Sequence, residues 1–259
     1  METMAAIAQW QRAETRETSP DAEVELDPAK QPRQFVSFAF YKIDPAWLRL
    51  DKATLEAGAQ ELAAVINNFS TKFLIYPYTT FGVRPETDFM LWRISYDLDD
   101  FEAMATAMRR TLMGTYLQTP YSFLAMTKTS IYVDDHFHEG QEGTRNKIVI
   151  GGGKYLFIYP FVKTRAWYVL PKEERQSIMR EHIRFGHEFP SVKLNTTYSF
   201  GLDDQDFVVA FETNKPEDFL DLVQGLRETQ SSLYTQRDTP IFTCTQQDTD
   251  TLLAHLSGV

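Results

Sequence analysis

The sequence predicts an α+β protein in which one structural unit occurs twice. One pattern, an Asp-Phe pair followed by a phenylalanine and an arginine at fixed spacing, is repeated without insertion. Its members are Asp88, Phe101 and Arg109 in the first copy and Asp206, Phe219 and Arg227 in the second. Within each copy, the apolar residues indicate a strand, a helix, two strands and a helix, an order typical of a ferredoxin-like unit. We therefore expect duplicated ferredoxin-like units that form a dimeric α+β barrel within one chain.

The first unit is predicted to span 33–126. Short apolar runs rich in aromatic residues indicate its strands, and apolar residues at steps of three and four indicate its helices. The strands are expected at 35–40, 73–76 and 89–96, and the helices at 53–69 and 100–113. Asp99 is a suitable N-cap for the second of these helices.

The second unit is predicted to span 148–247 and to repeat this order. Its strands are expected at 155–161, 194–200 and 207–212, and its helices begin near Pro171 and Pro216. Each of these prolines is followed by acidic residues in the first helical turn, which suits both the backbone geometry and the helix dipole.

Three segments lie outside the two predicted units. Residues 1–32 are polar and acidic, which predicts a flexible tail. Residues 127–147 are predicted to be a linker, and residues 248–259 a C-terminal tail. The linker contains His136 and His138 beside acidic residues. Such a cluster could ligate a divalent ion, but a solvated linker is the simpler interpretation.

Composition excludes several classes of function. The net charge of −10 argues against a nucleic acid as partner, because neutralising phosphates requires a basic surface. The single cysteine, Cys244, excludes disulfides within the chain and metal sites built from several cysteines. No apolar stretch approaches the roughly 20 residues that span a bilayer. No signal peptide is evident, so we expect a cytoplasmic protein with no membrane partner.

The duplication separates residues that both copies share from residues that occur in one copy. His182 lies on an apolar helical stripe with Ile178, Phe185 and Phe189, and the alignment of the copies places Ala63 opposite it. A lone histidine on an apolar face is usually a hydrogen-bonded core residue. The alternative is a ligand for a metal ion or a haem iron, which the absence of a histidine in the first copy favours.

A tyrosine and a lysine also occur in the second copy without counterparts in the first. Strand alternation places Tyr159, Phe161 and Lys163 on one face of a strand in the second unit. The first copy has Phe38 or Ala39 at the position of Tyr159, so it lacks the hydroxyl. The proline within this segment is equally typical of an ordinary edge strand.

For Arg227 and Arg145, comparison of the two copies favours a structural or solvated role over a functional one. Arg227 is matched by Arg109 in the first copy, which indicates a structural role. Arg145 and Lys147 precede the second unit, where they could meet carboxylates that enter from solvent. A solvated linker is again the simpler interpretation.

One extended motif marks the second unit. It runs from Trp167-Tyr168-Val169-Leu170-Pro171 through Glu173-Glu174-Arg175, Met179, His182 and Gly186 to Gly201-Leu202-Asp203-Asp204. This motif resembles that of the chlorite dismutase and coproheme decarboxylase superfamily. The resemblance covers 33–245 and is strongest over 155–245. It implies an iron porphyrin, either haem b or coproheme, and a ring-shaped assembly that is most often a homopentamer.

The resemblance also implies roles for individual residues. His182 would be the axial ligand of the haem iron. Tyr159 and Lys163 would be catalytic, with Tyr159 forming a radical. Arg227 and Arg145 would bind porphyrin propionates. Hydrogen peroxide would be the second substrate.

The chain departs from the family pattern at Leu194. Chlorite dismutases carry an arginine at this position beside the porphyrin, and coproheme decarboxylases usually carry a glutamine. Chlorite conversion passes through an anionic, hypochlorite-like species that a fixed cation must retain. Leucine cannot retain it, so efficient chlorite conversion is not expected unless Lys193 or Arg184 supplies the charge.

The sequence therefore predicts a haem-dependent oxidoreductase similar to coproheme decarboxylase. Such an enzyme uses peroxide to convert two propionates of coproheme to vinyl groups in haem biosynthesis. Two alternatives stay open. One is a haem peroxidase-like or weakly chlorite dismutase-like protein that acts on another substrate, and the other is a haem carrier or sensor without turnover.

Overall fold

The two units are visible in a computed structural model of the chain, which describes residues 32–130, 132 and 147–259. One compact unit ends at Ser122 and also takes in the C-terminal residues from Gln247 onward. The other comprises the residues between them, beginning at Phe123.

Several predicted features lie outside the described residues. These are Arg145, the histidine pair His136 and His138, the acidic tail up to residue 31, and most of the linker.

The structure contains nine strands and six α-helices among the described residues. The strands are β1 (Phe35–Ile43), β2 (Leu74–Thr79), β3 (Phe89–Ser95), β4 (Leu117–Met126), β5 (Tyr155–Lys163), β6 (Lys193–Tyr198), β7 (Phe207–Thr213), β8 (Thr235–Arg237) and β9 (Phe242–Gln246). The helices are α1 (Lys52–Asn68), α2 (Asp99–Arg110), α3 (Arg165–Val169), α4 (Lys172–Gly186), α5 (Pro216–Glu228) and α6 (Thr249–Ser257). Short 3-10 turns at Met113–Tyr116 and Gln230–Tyr234 follow α2 and α5.

The first unit is a sheet covered by helices. Its strands follow the order β4-β1-β3-β2, and β1 and β2 each pair with β3 in the antiparallel direction. Alternation directs Ala39 and Leu91 toward the helices, where they join a core that includes Leu62 of α1. Helix α1 begins after Asp51, because the Asp51 carboxylate accepts a hydrogen bond from the Thr54 N–H.

The second unit has the same plan. β5 lies between β9 and β7, β6 pairs with the other edge of β7, and β8 extends the end of β5. Phe157 of β5 stacks on Phe219 of α5 with ring centroids 4.0 Å apart, which joins the sheet to that helix. The predicted α+β class with duplicated ferredoxin-like units is therefore confirmed.

An aspartate, buried in the first unit and half-buried in the second, forms the same contact in both units. The Asp88 carboxylate accepts the Ile43 N–H at 2.8 Å, and the Asp206 carboxylate accepts the Lys163 N–H at 2.9 Å. Each aspartate thus ties the end of the first strand of its unit to the start of the third. Asp206 also accepts the Tyr168 hydroxyl at 2.7 Å. This shared contact explains why the Asp-Phe pair recurs in the sequence.

A tryptophan–tyrosine contact is repeated as well. The rings of Trp47 and Tyr116 lie 5.4 Å apart in the first unit, and those of Trp167 and Tyr234 lie 5.4 Å apart in the second. The two units thus share individual side-chain contacts as well as the order of their elements. A position in one unit can therefore be compared directly with its counterpart in the other.

The C-terminal residues differ from the sequence prediction. The expected tail at 248–259 contains helix α6. Asp248 caps this helix by accepting the Thr251 N–H. Leu252 and Leu253 are buried in the core of the first unit, where α6 packs on α1. The helix is stabilised by this packing more than by its short local pattern.

The glycine run before β5 has a packing role. The buried carboxylate of Glu212 accepts the N–H groups of Gly151 and Gly152 at 2.9 Å and 3.0 Å. A Cβ on Gly153 would lie 2.6 Å from the backbone nitrogen of Thr213. Burial raises the pKa of Glu212, and the hydrogen bonds from the glycines oppose that shift. The run therefore allows the backbone to approach β7 closely.

Candidate functional site

Helix α4 leaves its inner face far more open than its counterpart α1 does. The buried residues of α1 are Leu55, Gly58, Ala59, Leu62, Ala63 and Ile66. In α4, all of which the structure describes, the only buried residue is Ile178. Phe185 and Phe189 nevertheless pack against the core of the second unit, so α4 lies over the sheet. The side of α4 that faces the sheet is thus partly accessible.

The sheet presents an exposed surface beside this helix. Leu194 of β6 aligns with Phe211 of β7, and Thr196 aligns with Val209. Phe211 and Val209 belong to the core cluster under α4, so Leu194 and Thr196 lie on the same side of the sheet as the helix. Leu194 is 45% exposed, and Thr196 is exposed too. We call the space between the open side of α4 and this surface of the sheet the slot.

His182 lies on the open side of α4. Its Nδ1 atom is buried and has no hydrogen-bond partner among the described residues, so it is not a hydrogen-bonded core histidine. Burial lowers the pKa of His182 to about 4, the charge of Lys163 adds to the shift, and Glu181 opposes it. The imidazole is therefore neutral near pH 7, which is the form that ligates a metal.

The two helices refine the alignment around this histidine. α1 begins at Lys52 and α4 at Lys172, which places Leu62 opposite His182 instead of the expected Ala63. Both Leu62 and Ala63 are buried, so the first unit has an apolar core residue at this position in either alignment.

Tyr159 lies on β5, on the side of the sheet that faces the helices. Its ring stacks on Phe211 with centroids 5.9 Å apart and belongs to the core cluster of the second unit. Burial raises the pKa of Tyr159 well above its ordinary value, Asp238 adds to the shift, and Arg227 opposes it. The phenol therefore keeps its proton at physiological pH.

Lys163 follows two residues after Phe161 on β5, and its ammonium group lies 5.4 Å from the centre of the Phe161 ring. Nζ donates to the Ser231 carbonyl at 2.7 Å and to the Ser231 hydroxyl at 3.0 Å. It also lies 4.7 Å from the centre of the Trp167 ring. Burial lowers the pKa of Lys163 to about 8. The structure thus places this cation beside Trp167 and close enough to His182 to disfavour protonation of the imidazole.

The first unit fills the same positions with apolar side chains. Ile43 donates its N–H to Asp88 just as Lys163 donates to Asp206, so Ile43 corresponds to Lys163. The 3-10 turns that follow α2 and α5 end at Tyr116 and Tyr234. Met113 and Ser231 each lie three residues before that tyrosine, so they correspond to each other. The first unit thus has an isoleucine and a methionine at the two positions where the second unit has a lysine and a serine that are hydrogen-bonded to each other.

Arg227 and Leu194 are not among the residues that contact the Lys163 ammonium in the described chain. Arg227 Nη2 forms an ion pair with Asp238 at 3.0 Å, and its side chain is 61% exposed. Its charge nevertheless acts on Tyr159, so the two groups are near one another. Leu194 lines the sheet side of the slot, as described above.

The sequence analysis missed three residues of this region. Ser231 holds Lys163, and Arg175 of α4 donates to the Tyr132 hydroxyl at 3.4 Å. Arg175 shares the helical stripe of Ile178 and His182, so the periodicity that singled out the histidine could have found it. Ser231 and Tyr132 carry no local signal, because their contacts are made across the fold.

Two further observations limit the chemistry. Within the described part of the chain, no three His, Cys, Asp or Glu side chains come together as a metal site. None of the helices described is long and apolar enough to cross a membrane.

Comparison with known sequences identifies relatives. A family model described as chlorite dismutase matches residues 55–247. The chain is 27% identical over 241 residues to a coproheme decarboxylase of Mycolicibacterium smegmatis, which covers 91% of this chain and 99% of that protein. It is 29% identical over 206 residues to a chlorite dismutase of Ideonella dechloratans, which covers 78% of this chain and 72% of that protein.

Solved structures show the same fold. A variant of chlorite dismutase from Candidatus Nitrospira defluvii matches with a TM-score of 0.80 and 24% identity, covering 89% of this chain and 98% of that one. A heme-binding protein from Thermus thermophilus matches with a TM-score of 0.77 and 22% identity, covering 87% of this chain and 95% of that one.

The lowered pKa of His182 should make the protein without porphyrin sensitive to acid. The unfolded chain binds a proton on this imidazole near pH 6.5, whereas the folded chain does so only near pH 4. Stability from this group is therefore complete above pH 6.5 and is lost as the pH falls to 4, by up to about 3 kcal/mol. The free energy of unfolding, measured with denaturant between pH 4 and pH 6.5, should therefore fall less in His182→Leu than in the wild type. The exposed His255 provides the control, and His255→Gln should behave as the wild type; an unchanged slope in His182→Leu would contradict the assignment.

Replacing Lys163 and Ser231 with the isoleucine and methionine found at the corresponding positions of the first unit should not destabilise the second unit. The variant Lys163→Ile with Ser231→Met removes a buried cation, so its free energy of unfolding should equal or exceed that of the wild type. Lys163→Ile alone should be less stable than the double variant, because it leaves Ser231 without its donor. Urea unfolding at pH 7 measures both. A double variant less stable by more than about 2 kcal/mol would show that the lysine–serine pair is retained for stability.

Proposed function

Because the chain belongs to the chlorite dismutase family, we propose that it binds an iron porphyrin in the slot and decarboxylates coproheme with hydrogen peroxide. The observation that carries this proposal is His182, a neutral imidazole without a hydrogen-bond partner among the described residues, on the open side of α4. The coproheme decarboxylase of Mycolicibacterium smegmatis, similar over nearly its whole length, supports the choice of substrate.

The residues of the slot fit such a group. A flat macrocycle requires an apolar surface on one side and an axial ligand on the other. The sheet side offers Leu194 with the neighbouring aromatic cluster, and α4 offers His182. When bound, the porphyrin iron would supply the centre at which peroxide is reduced. The Lys163 charge helps to keep the imidazole in its ligating form.

Tyr159 is the residue that we assign to oxidation of the propionate. For each propionate, one hydrogen peroxide takes up two electrons and two protons and yields two waters, while the propionate loses carbon dioxide and two hydrogens and becomes a vinyl group. A protonated phenol can pass on one electron and one proton at a time. Burial holds Tyr159 in that protonated form.

Arg227 is the residue that we assign to the propionate beside Tyr159. It is a largely exposed cation whose charge acts on the Tyr159 phenol. Its ion pair with Asp238 is accessible to solvent, and such pairs are weak. A propionate could therefore compete with Asp238 for the guanidinium and would then lie near the phenol. We assign the same kind of role to Arg145.

Leu194 distinguishes decarboxylation from chlorite conversion. The exposed leucine supplies no charge to retain a hypochlorite-like anion, so we do not assign chlorite dismutase activity to the chain. Leucine also gives no hydrogen bond to peroxide, which favours slow peroxide activation. Because Leu194 departs from the residues usual in both groups of relatives, a haem peroxidase-like activity on another substrate is the second candidate.

Removal of the phenol hydroxyl tests the proposal. Wild-type protein mixed with ferric coproporphyrin and peroxide should give a porphyrin in which two propionates have become vinyls, measured by mass spectrometry. Tyr159→Phe should still bind the porphyrin but should convert it about 100-fold more slowly or not at all. Tyr155→Phe, a hydroxyl removed from the same face of β5, is the matched control and should retain activity. Full activity in Tyr159→Phe, or an unchanged porphyrin with the wild type, would contradict the proposal.

A further inference from the structure

Arg175 faces the same side of α4 as His182. The two residues are seven positions apart, which is two helical turns, so their side chains leave the helix in nearly the same direction. Arg175 is half-buried. It therefore lies along the slot, beyond the imidazole toward the start of α4.

Within the part of the chain that the structure describes, the charge of Arg175 has little compensation. Its Nη1 donates to the Tyr132 hydroxyl at a long 3.4 Å, and its Nε is buried without any hydrogen-bond partner among the described residues. No carboxylate of the described chain forms an ion pair with it, although the whole sequence has 36 acidic against 26 basic residues. A half-buried guanidinium with an unused donor is destabilising in itself.

The surroundings of Arg175 form the end of the slot at which β6 stops. Tyr132 packs on Trp167 with ring centroids 6.2 Å apart. Tyr198, the last residue of β6, is hydrogen-bonded to Ser130, and Lys128 Nζ lies 5.6 Å from the centre of its ring. The segment that carries Lys128, Ser130 and Tyr132 thus lies beside both β6 and α4. It brings a second cation, Lys128, and one tyrosine, Tyr132, to the end of the slot where Arg175 and Tyr198 lie.

We propose that Arg175, with Tyr132 and Lys128, forms a subsite for a carboxylate arm of the bound porphyrin. The inference rests on the proposed function and adds a residue that the family motif leaves without a role. A carboxylate can accept two parallel hydrogen bonds from one guanidinium, which would engage the unpaired donor. Arg227 is already paired with Asp238, whereas Arg175 has no acidic partner in the described chain. Arg175 is thus the better prepared of the two cations to receive an external carboxylate.

Porphyrin affinity is the direct test. Arg175→Gln should raise the dissociation constant of ferric coproporphyrin, followed by its absorption band, by about 10- to 100-fold. Arg175→Lys retains the charge but loses the paired donors, and should fall between that variant and the wild type. The matched control is Arg180→Gln, an exposed arginine of the same helix, which should leave the dissociation constant unchanged.

Stability separates this role from a structural one. Because the variant removes a poorly paired cation, Arg175→Gln without porphyrin should unfold at the same temperature as the wild type or higher. A lowered unfolding temperature with unchanged affinity would mean that Arg175 only holds Tyr132, and would overturn the subsite. Equal affinity in wild type and Arg175→Gln would overturn the subsite while leaving porphyrin binding intact. Failure of the wild type to bind any iron porphyrin would overturn both proposals.

Discussion

The candidate site depends on a neutral imidazole, that of His182, whose buried Nδ1 has no hydrogen-bond partner among the described residues. A buried Nδ1 that finds no partner in the described chain is destabilising by about 1–3 kcal/mol. Protonation would not relieve the site, since burial and the Lys163 charge both oppose it. Burial and the Lys163 charge thus keep the imidazole neutral near pH 7. The open side of α4 follows from the same architecture, because α6 packs on α1 in the first unit and the described part of the second unit has no corresponding helix.

Comparison of the two units shows where the second unit has polar side chains at positions that are apolar in the first. Asp88 and Asp206 fix the strands in both units by the same contact, so they belong to the shared architecture. Ile43 and Met113 show that the first unit accommodates apolar side chains at the positions that correspond to Lys163 and Ser231. Polar groups that replace packed hydrocarbons without a structural need are good candidates for chemistry. In this chain they lie next to the tryptophan and the histidine of the family motif.

Local patterns in the sequence were enough to single out individual residues, whereas contacts made across the fold left no such signal. Helical periodicity identified His182, and strand alternation identified the shared face of Tyr159 and Lys163. Strand β4 was missed because it contains Pro120 and is mostly exposed or half-buried, so it shows no clear alternation. Helix α6 was missed because a short helix depends on the core that it joins.

The same distinction applies to the site. The sequence paired Lys163 with Tyr159, but only the fold shows that the ammonium is bound to Ser231 and lies over Trp167. Copy comparison treated Arg227 as structural, yet its charge acts on Tyr159. Arg175 was quoted as part of a motif and given no role, because an unpaired donor can be recognised only when its neighbours are known.

The most direct test of the account is whether His182 binds the porphyrin iron. The ferrous complex with coproporphyrin should show an iron–histidine stretching band in its resonance Raman spectrum. That band should be absent from His182→Gly and should return when free imidazole is added to the variant. Persistence of the band in His182→Gly without imidazole would show that another residue is the ligand, and would contradict the central claim.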